Sequence, residues 1–154
     1  MAGRRAARIG AVQALYQIDV ANAPVHEVLA EFQAHRLDNL FEPLEGEPPG
    51  PAPEVDRAWF VRVVRGAAEA APELDPLIAD CLAQGWTLRR LGYALRACLR
   101  AGAYELARCP EVPARVAINE YIEVAHAFFH GDEPRFVNAV LDRLAKQLRP
   151  EEVK

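Results

Sequence analysis

The chain has 154 residues, is 51% hydrophobic and 26% charged, and carries a formal net charge of −4. That composition describes one soluble, compact domain and excludes an intrinsically disordered chain, which lacks such apolar content. No uncharged run approaches the ~18 residues of a membrane span, and the arginine-bearing N-terminus has no apolar core or small-residue cleavage site of a secretory signal.

Apolar residues recur at helical spacing nearly everywhere, and no alternating strand pattern is evident, so the sequence predicts an all-α domain. The spacing gives seven helices, near 4–21, 24–41, 54–70, 72–84, 87–107, 113–129 and 134–148. The first opens with Arg4, Arg5 and Arg8. On a continuous helix Arg5 falls in phase with Val12 and Tyr16, so the arginines are expected to project past the core as a partly ordered arm. Pro24 opens the second helix, where its missing N–H costs nothing. Glu42 to Pro53, with five prolines and two glycines, reads as an extended acidic loop within one domain. Val55, Phe60, Val63, Val64 and Ala67 form the next stripe, and Leu74, Leu77, Ile78, Cys81 and Leu82 another. Thr87 is placed to cap the stripe Leu88, Leu91, Leu95, Cys98, Gly102, Leu106. Pro113 and Pro134 open the last two helices.

Charge is uneven. Residues 1–16 carry +3, residues 17–56 carry −8 and residues 57–154 carry +1. A basic head before an acidic stretch points to a polyanion contact at the N-terminus. Sixteen of the 18 basic residues are arginine, which suits bidentate phosphate contacts, although a GC-rich genome favours arginine codons too.

Little here suggests catalysis. There is no serine, and Thr87 is the only threonine, which removes a serine nucleophile and a P-loop Ser/Thr. No Gly-Lys pair and no G-x-G-x-x-G occurs. Cys81, Cys98 and Cys109 are odd in number and form no C-x-x-C, which argues against disulfides and zinc and for a reducing cytoplasm. Glu123, His126 and His130 share one helix face, but a di-metal bundle needs two E-x-x-H sequences and two further glutamates. No catalytic residue, metal site or cofactor is expected. Arginine-rich arms can order on RNA, yet most short basic runs are merely solvated. The segment Asp132 to Asn138 is a second candidate. A helix N-terminus offers N–H groups to phosphate, Arg135 adds charge and Phe136 could stack a base; Phe136 as a core residue and Asp132 as a cap is the equal alternative.

Three stretches resemble the NusB family of transcription antitermination factors. They are Arg4-Arg5-Ala6-Ala7-Arg8 running into Ala11-Val12-Gln13-Ala14-Leu15-Tyr16; Leu99-Arg100-Ala101-Gly102-Ala103-Tyr104-Glu105-Leu106; and Val116-Ala117-Ile118-Asn119-Glu120 with Phe136-Val137-Asn138-Ala139-Val140-Leu141-Asp142. Ala6 thins the usual arginine run, and Ala139 replaces a usual glycine. The resemblance implies a seven-helix fold of two packed sub-bundles, about 1–70 and 71–150, forming a single domain over 1–154 with the acidic loop 42–53. It implies binding of single-stranded boxA-type RNA together with NusE, a ribosomal small-subunit protein, within a complex of NusA, NusG and RNA polymerase acting on ribosomal RNA operons. Arg4, Arg5 and Arg8, and with them Tyr16, Asp132, Arg135 and Phe136, are the implied RNA contacts. Arg89, Arg90, Arg96 and Arg100 could serve RNA, a partner or neither. The NusE surface is not placed. Two other readings stand: a helical adaptor acting only through protein contacts, and a NusB-like domain detached from a ribosomal RNA methyltransferase, whose catalytic domain would not fit in this chain.

Overall fold

The structure, a computed structural model, describes residues 3–40, 46 and 54–153. Among these residues there are six α-helices and no strand: α1 (Arg4–Ala21), α2 (Val25–Glu31), α3 (Arg57–Asp80), α4 (Tyr93–Arg108), α5 (Ala114–Phe128) and α6 (Glu133–Leu148). The all-α expectation holds, but the count is six rather than seven. The segments expected at 54–70 and 72–84 are one helix, with Pro72 and Pro76 inside it. An interior proline removes a backbone hydrogen bond and costs about 3 kcal/mol. The helix persists because Val63, Val64, Ala67, Leu74 and Ile78 run through both halves as one buried stripe. Full burial of an aliphatic side chain contributes about 1.5–3 kcal/mol, so the stripe outweighs the prolines. Residue 70, the expected sub-bundle boundary, falls within this continuous helix.

The helix expected at 24–41 changes pitch. After α2 the chain makes a wide π turn, Phe32–Arg36, and then a 3-10 turn, Leu37–Asn39. The Leu37 N–H donates to the Phe32 carbonyl. In an ideal α-helix residues five apart point about 140° apart; the wider turn brings Phe32 and Leu37 onto one face, and both are buried. The helix expected from residue 87 starts later. Thr87 makes no side-chain cap, a short 3-10 turn covers Leu88–Arg90, and α4 begins after Gly92 at φ 83°. The acidic loop 42–53 lies outside the described residues except for Gly46.

Helix α1 lies against α3, α4 and α5. Ala7, Ala11 and Ala14 are fully buried along it, small enough to let three neighbours approach. Between α3 and α4 the approach is closer still. A Cβ on Gly66 would stand 2.2 Å from the Tyr104 ring, so that crossing requires glycine. Two tethers fix the helix ends. The Gly3 carbonyl accepts the N–H groups of Ala7 and Asp56, each at 3.0 Å, which pins residues 54–56 to the start of α1. At the other end of the chain, Arg149 donates to the carbonyls of Leu106 (2.9 Å), Glu105 (3.0 Å) and Cys109 (2.8 Å), and to that of Val112. The Leu106 carbonyl is one of those that the C-terminus of α4 leaves without an intrahelical partner. No helix among the described residues is long and apolar enough to cross a membrane.

Candidate nucleic-acid interface

The arginine head is not an arm. Arg4, Arg5 and Arg8 form the first two turns of α1, and the chain's own carboxylates hold them. Arg8 points inward: its side chain is 3% exposed and makes a bidentate pair with Glu105, both bonds 2.8 Å. The Tyr121 hydroxyl donates to the same carboxylate, and Glu105 is fully buried. Burial pulls the Arg8 pKa down, but the Glu105 hydrogen bonds and charge outweigh it and leave the pKa raised. The Tyr121 hydroxyl is pushed well above its ordinary range, chiefly by burial and then by Glu105. Arg8 is therefore a charged interior residue, and its expected place on an RNA surface is corrected. The sequence conceals this because the carboxylate lies 97 positions away.

Arg4 is partly covered. Its guanidinium lies 4.0 Å from the Trp59 ring centre and 3.8 Å from Asp56. Arg62 stands 4.9 Å and Arg8 5.6 Å from the same ring, so three cations surround the buried Trp59. Arg5 alone faces outward, with a side chain 60% exposed beside Glu120 at 2.9 Å. That pair raises the Arg5 pKa through its hydrogen bond. A shallow cleft of ≈ 390 Å³ runs past these arginines to Val116 and Glu120.

Tyr16 is exposed on the same face of α1 as Arg5, roughly 16 Å further along the helix by its rise per residue. It borders an apolar groove of ≈ 480 Å³ lined by Val12, Val20, Ala94 and Phe128 among others. Its ring meets Tyr93 edge to face, with centroids 6.4 Å apart. At the start of α6, Asp132 and Arg135 are exposed. The Asp132 side chain makes no cap bond; its backbone carbonyl accepts the Phe136 N–H at 3.1 Å. Phe136 is half-buried against the core and meets Trp86 edge on at 6.4 Å. Phe136 thus meets Trp86, in the segment between α3 and α4, while Tyr16 meets Tyr93, the first residue of α4. The arginine head lies elsewhere, at the start of α1.

The basic stretch from Arg89 to Arg100 divides. Arg96 is paired with Asp19, and Arg100 with Asp19 and Asp75, so both belong to the packing of α1, α3 and α4. Arg89 and Arg90 make no ion pair among the described residues. Arg90 donates to the Gly85 carbonyl at 2.8 Å and lies 5.6 Å from the Trp86 ring centre. Trp86, 49% exposed, was not singled out by sequence reasoning. The signal was an aromatic three and four residues before two arginines, in a segment read for its apolar stripe and its basic charge but not for the ring beside them.

Among the described residues no group of three His, Cys, Asp or Glu side chains is placed to hold a metal ion. All three cysteines are buried, and burial pushes Cys98 up to about 12 and Cys109 to about 11. What this chain offers is a helical scaffold presenting aromatic rings and guanidinium groups at its surface, the equipment of a binding protein.

Residues 5–146 match the NusB family. The chain is 49% identical over 149 residues to the transcription antitermination protein NusB of Rhodopseudomonas palustris (strain HaA2), covering 97% of this chain and 85% of that one. It is 48% identical to NusB of Rhizobium rhizogenes (strain K84 / ATCC BAA-868), covering 96% and 89%. Among solved structures, T. maritima NusB superposes with a TM-score of 0.76 at 29% identity, covering 99% of this chain and 97% of that one. A structure of the antitermination factors NusB and NusE in complex with dsRNA shares the fold, with a TM-score of 0.73 at 23% identity over 94% of this chain and 96% of that one. The chain belongs to the NusB family, and is a transcription antitermination factor rather than an enzyme.

Proposed function

We propose that this protein binds single-stranded boxA-type RNA jointly with NusE, and in the cytoplasm joins NusA, NusG and RNA polymerase to sustain transcription of ribosomal RNA operons. The observation that carries this reading is the first turn of α6, where exposed Arg135, with no ion pair among the described residues, adjoins a half-buried Phe136. Arg5 and Tyr16 on the outer face of α1 extend the proposed contact, with Arg4 beside them; Asp132 sits at the mouth of α6. The names of the relatives support the antitermination role, and the neighbouring NusB–NusE complex with dsRNA supports contact with RNA and NusE. Arg8 acts through the fold, by holding the helix that presents Arg5.

A few phosphate contacts and one stacked ring give weak affinity alone, about 10⁻⁴–10⁻⁶ M from the electrostatic part at physiological salt. NusE supplies the remaining surface, and RNA must tighten NusE binding by the same factor by which NusE tightens RNA binding. A gel shift with boxA-type RNA across a salt series, with and without NusE, tests this. Binding is expected to strengthen with NusE and to weaken with salt; equal RNA affinity with and without NusE refutes joint binding. The protein-only adaptor draws on the internal pairing of Arg4, Arg5 and Arg8. It predicts no specific RNA binding by the parent protein, with or without NusE, whereas joint recognition predicts RNA binding that Arg135→Ala and Phe136→Ala lose with NusE binding retained.

A further inference from the structure

Eleven of the sixteen arginines pair with a carboxylate among the described residues. The other five are Arg65, Arg89, Arg90, Arg135 and Arg143. Four of these lie on two elements that touch: the segment between α3 and α4, which carries Arg89 and Arg90, and α6, which carries Arg135 and Arg143. Arg143 donates to the Cys81 carbonyl at 2.9 Å, and Trp86 meets Phe136. Among the described residues these four cations have no carboxylate partner, and Arg90 lies 5.6 Å from the ring centre of the exposed Trp86. The combination suits a single nucleic-acid strand, whose bases stack on rings of any sequence and whose phosphates follow the cations.

We propose that Trp86 is a base-stacking residue for single-stranded RNA, with Arg90 bracing its ring and Arg89 and Arg135 meeting the flanking phosphates. This rests on the RNA reading above and adds to it a site between α3 and α4. Arg90 is well suited to bracing. Its bond to the Gly85 carbonyl at 2.8 Å holds the guanidinium 5.6 Å from the indole ring centre. Phe136, edge-on to Trp86, supplies a second aromatic wall. A protein ligand would find less to match here, because the groove best suited to apolar side chains lies beside Tyr16 and Val20 instead.

The two tryptophans make the test direct. Trp59 is buried, 4% exposed, while Trp86 is open. A polyuridylate oligomer and a boxA-type RNA are titrated into the full chain. Indole fluorescence reports Trp86, and anisotropy of labelled RNA independently reports binding. Stacking predicts quenching that follows the anisotropy isotherm and disappears in Trp86→Phe, which keeps most of the affinity. Trp86→Ala should weaken binding by about 5- to 140-fold, the range of one stacked base, with an unchanged thermal melt. If the chain binds RNA by anisotropy while Trp86 fluorescence stays constant and Trp86→Ala binds equally well, the Trp86 site is refuted and the RNA reading survives. If neither RNA binds with or without NusE, both fall. Quenching by NusE in the absence of RNA, with no change on adding RNA, assigns the indole to the protein partner and overturns the proposal.

Discussion

Replacing Glu105 with alanine strips the buried Arg8 of its bidentate partner and leaves the Tyr121 hydroxyl without an acceptor. The carboxylate is fully buried, and the Arg8 side chain is 3% exposed. Removing one member of a buried pair strands a charge in a poorly solvated interior, at a cost of about 3–5 kcal/mol. A domain of this size holds about 5–15 kcal/mol in total, so the loss is a large fraction. Thermal unfolding at neutral pH should show it as a drop of about 6–20 °C, using roughly 2–4 °C per kcal/mol. Glu105→Gln keeps the shape and some hydrogen bonds and should fall between. Replacing Arg8 by Met, Glu105 by Leu and Tyr121 by Phe together removes both charges and the hydroxyl that would lose its acceptor, and should recover most of the loss, because apolar packing of similar volume is commonly neutral or better. A Glu105→Ala melt within about 2 °C of the parent protein refutes the reasoning, since on this scale that is no more than about 1 kcal/mol.

The exposed pair behaves oppositely. Glu120→Ala should change stability by less than about 1 kcal/mol in a urea melt and, by freeing Arg5, strengthen RNA binding at low salt. Gly66→Ala forces a methyl group into the Tyr104 ring and should cost about 1–3 kcal/mol, read as a lowered melting temperature. The buried thiols make stability depend on pH. Cys98 is pushed up to about 12 and Cys109 to about 11 from an ordinary 9.0. Between about pH 9 and 11 the unfolded chain loses these protons before the folded one does, so stability should fall as pH rises through that window. In the same range the folded protein should resist alkylation at Cys98, with labelling appearing only on denaturation; prompt labelling of native Cys98 counts against its burial.

Much of the fold was legible in the chain. The helical spacing gave the class, and Pro24, Pro113 and Pro134 marked openings that stand within two residues of the observed helix starts. Pro72 and Pro76 misled, because local backbone rules favour a break there and only the buried stripe on both sides of them restores the helix. The head misled for a similar reason. Three arginines in five residues look like surface charge until Glu105, Asp56 and Trp59 are folded against them. Local spacing carries no record of partners a hundred positions away. Arg5, by contrast, was in phase with Tyr16 in the sequence and shares its exposed face in the fold. Trp86 stayed unnoticed because its meaning lies in contacts with Phe136 and Arg90.

The helix at the centre of the packing is also the first made. Every carboxylate that holds Arg5 and Arg8 belongs to α4 or α5, with Glu105 and Glu120 lying 97 and 115 positions downstream. At about 5–20 residues per second on the ribosome, α1 waits about 5–20 s or longer before its charges can be matched. Through that interval its arginines are bare cations on a nascent chain, and the N-terminal half can only lock once α4 has left the exit tunnel. Assembly of this protein is therefore timed from its C-terminal half.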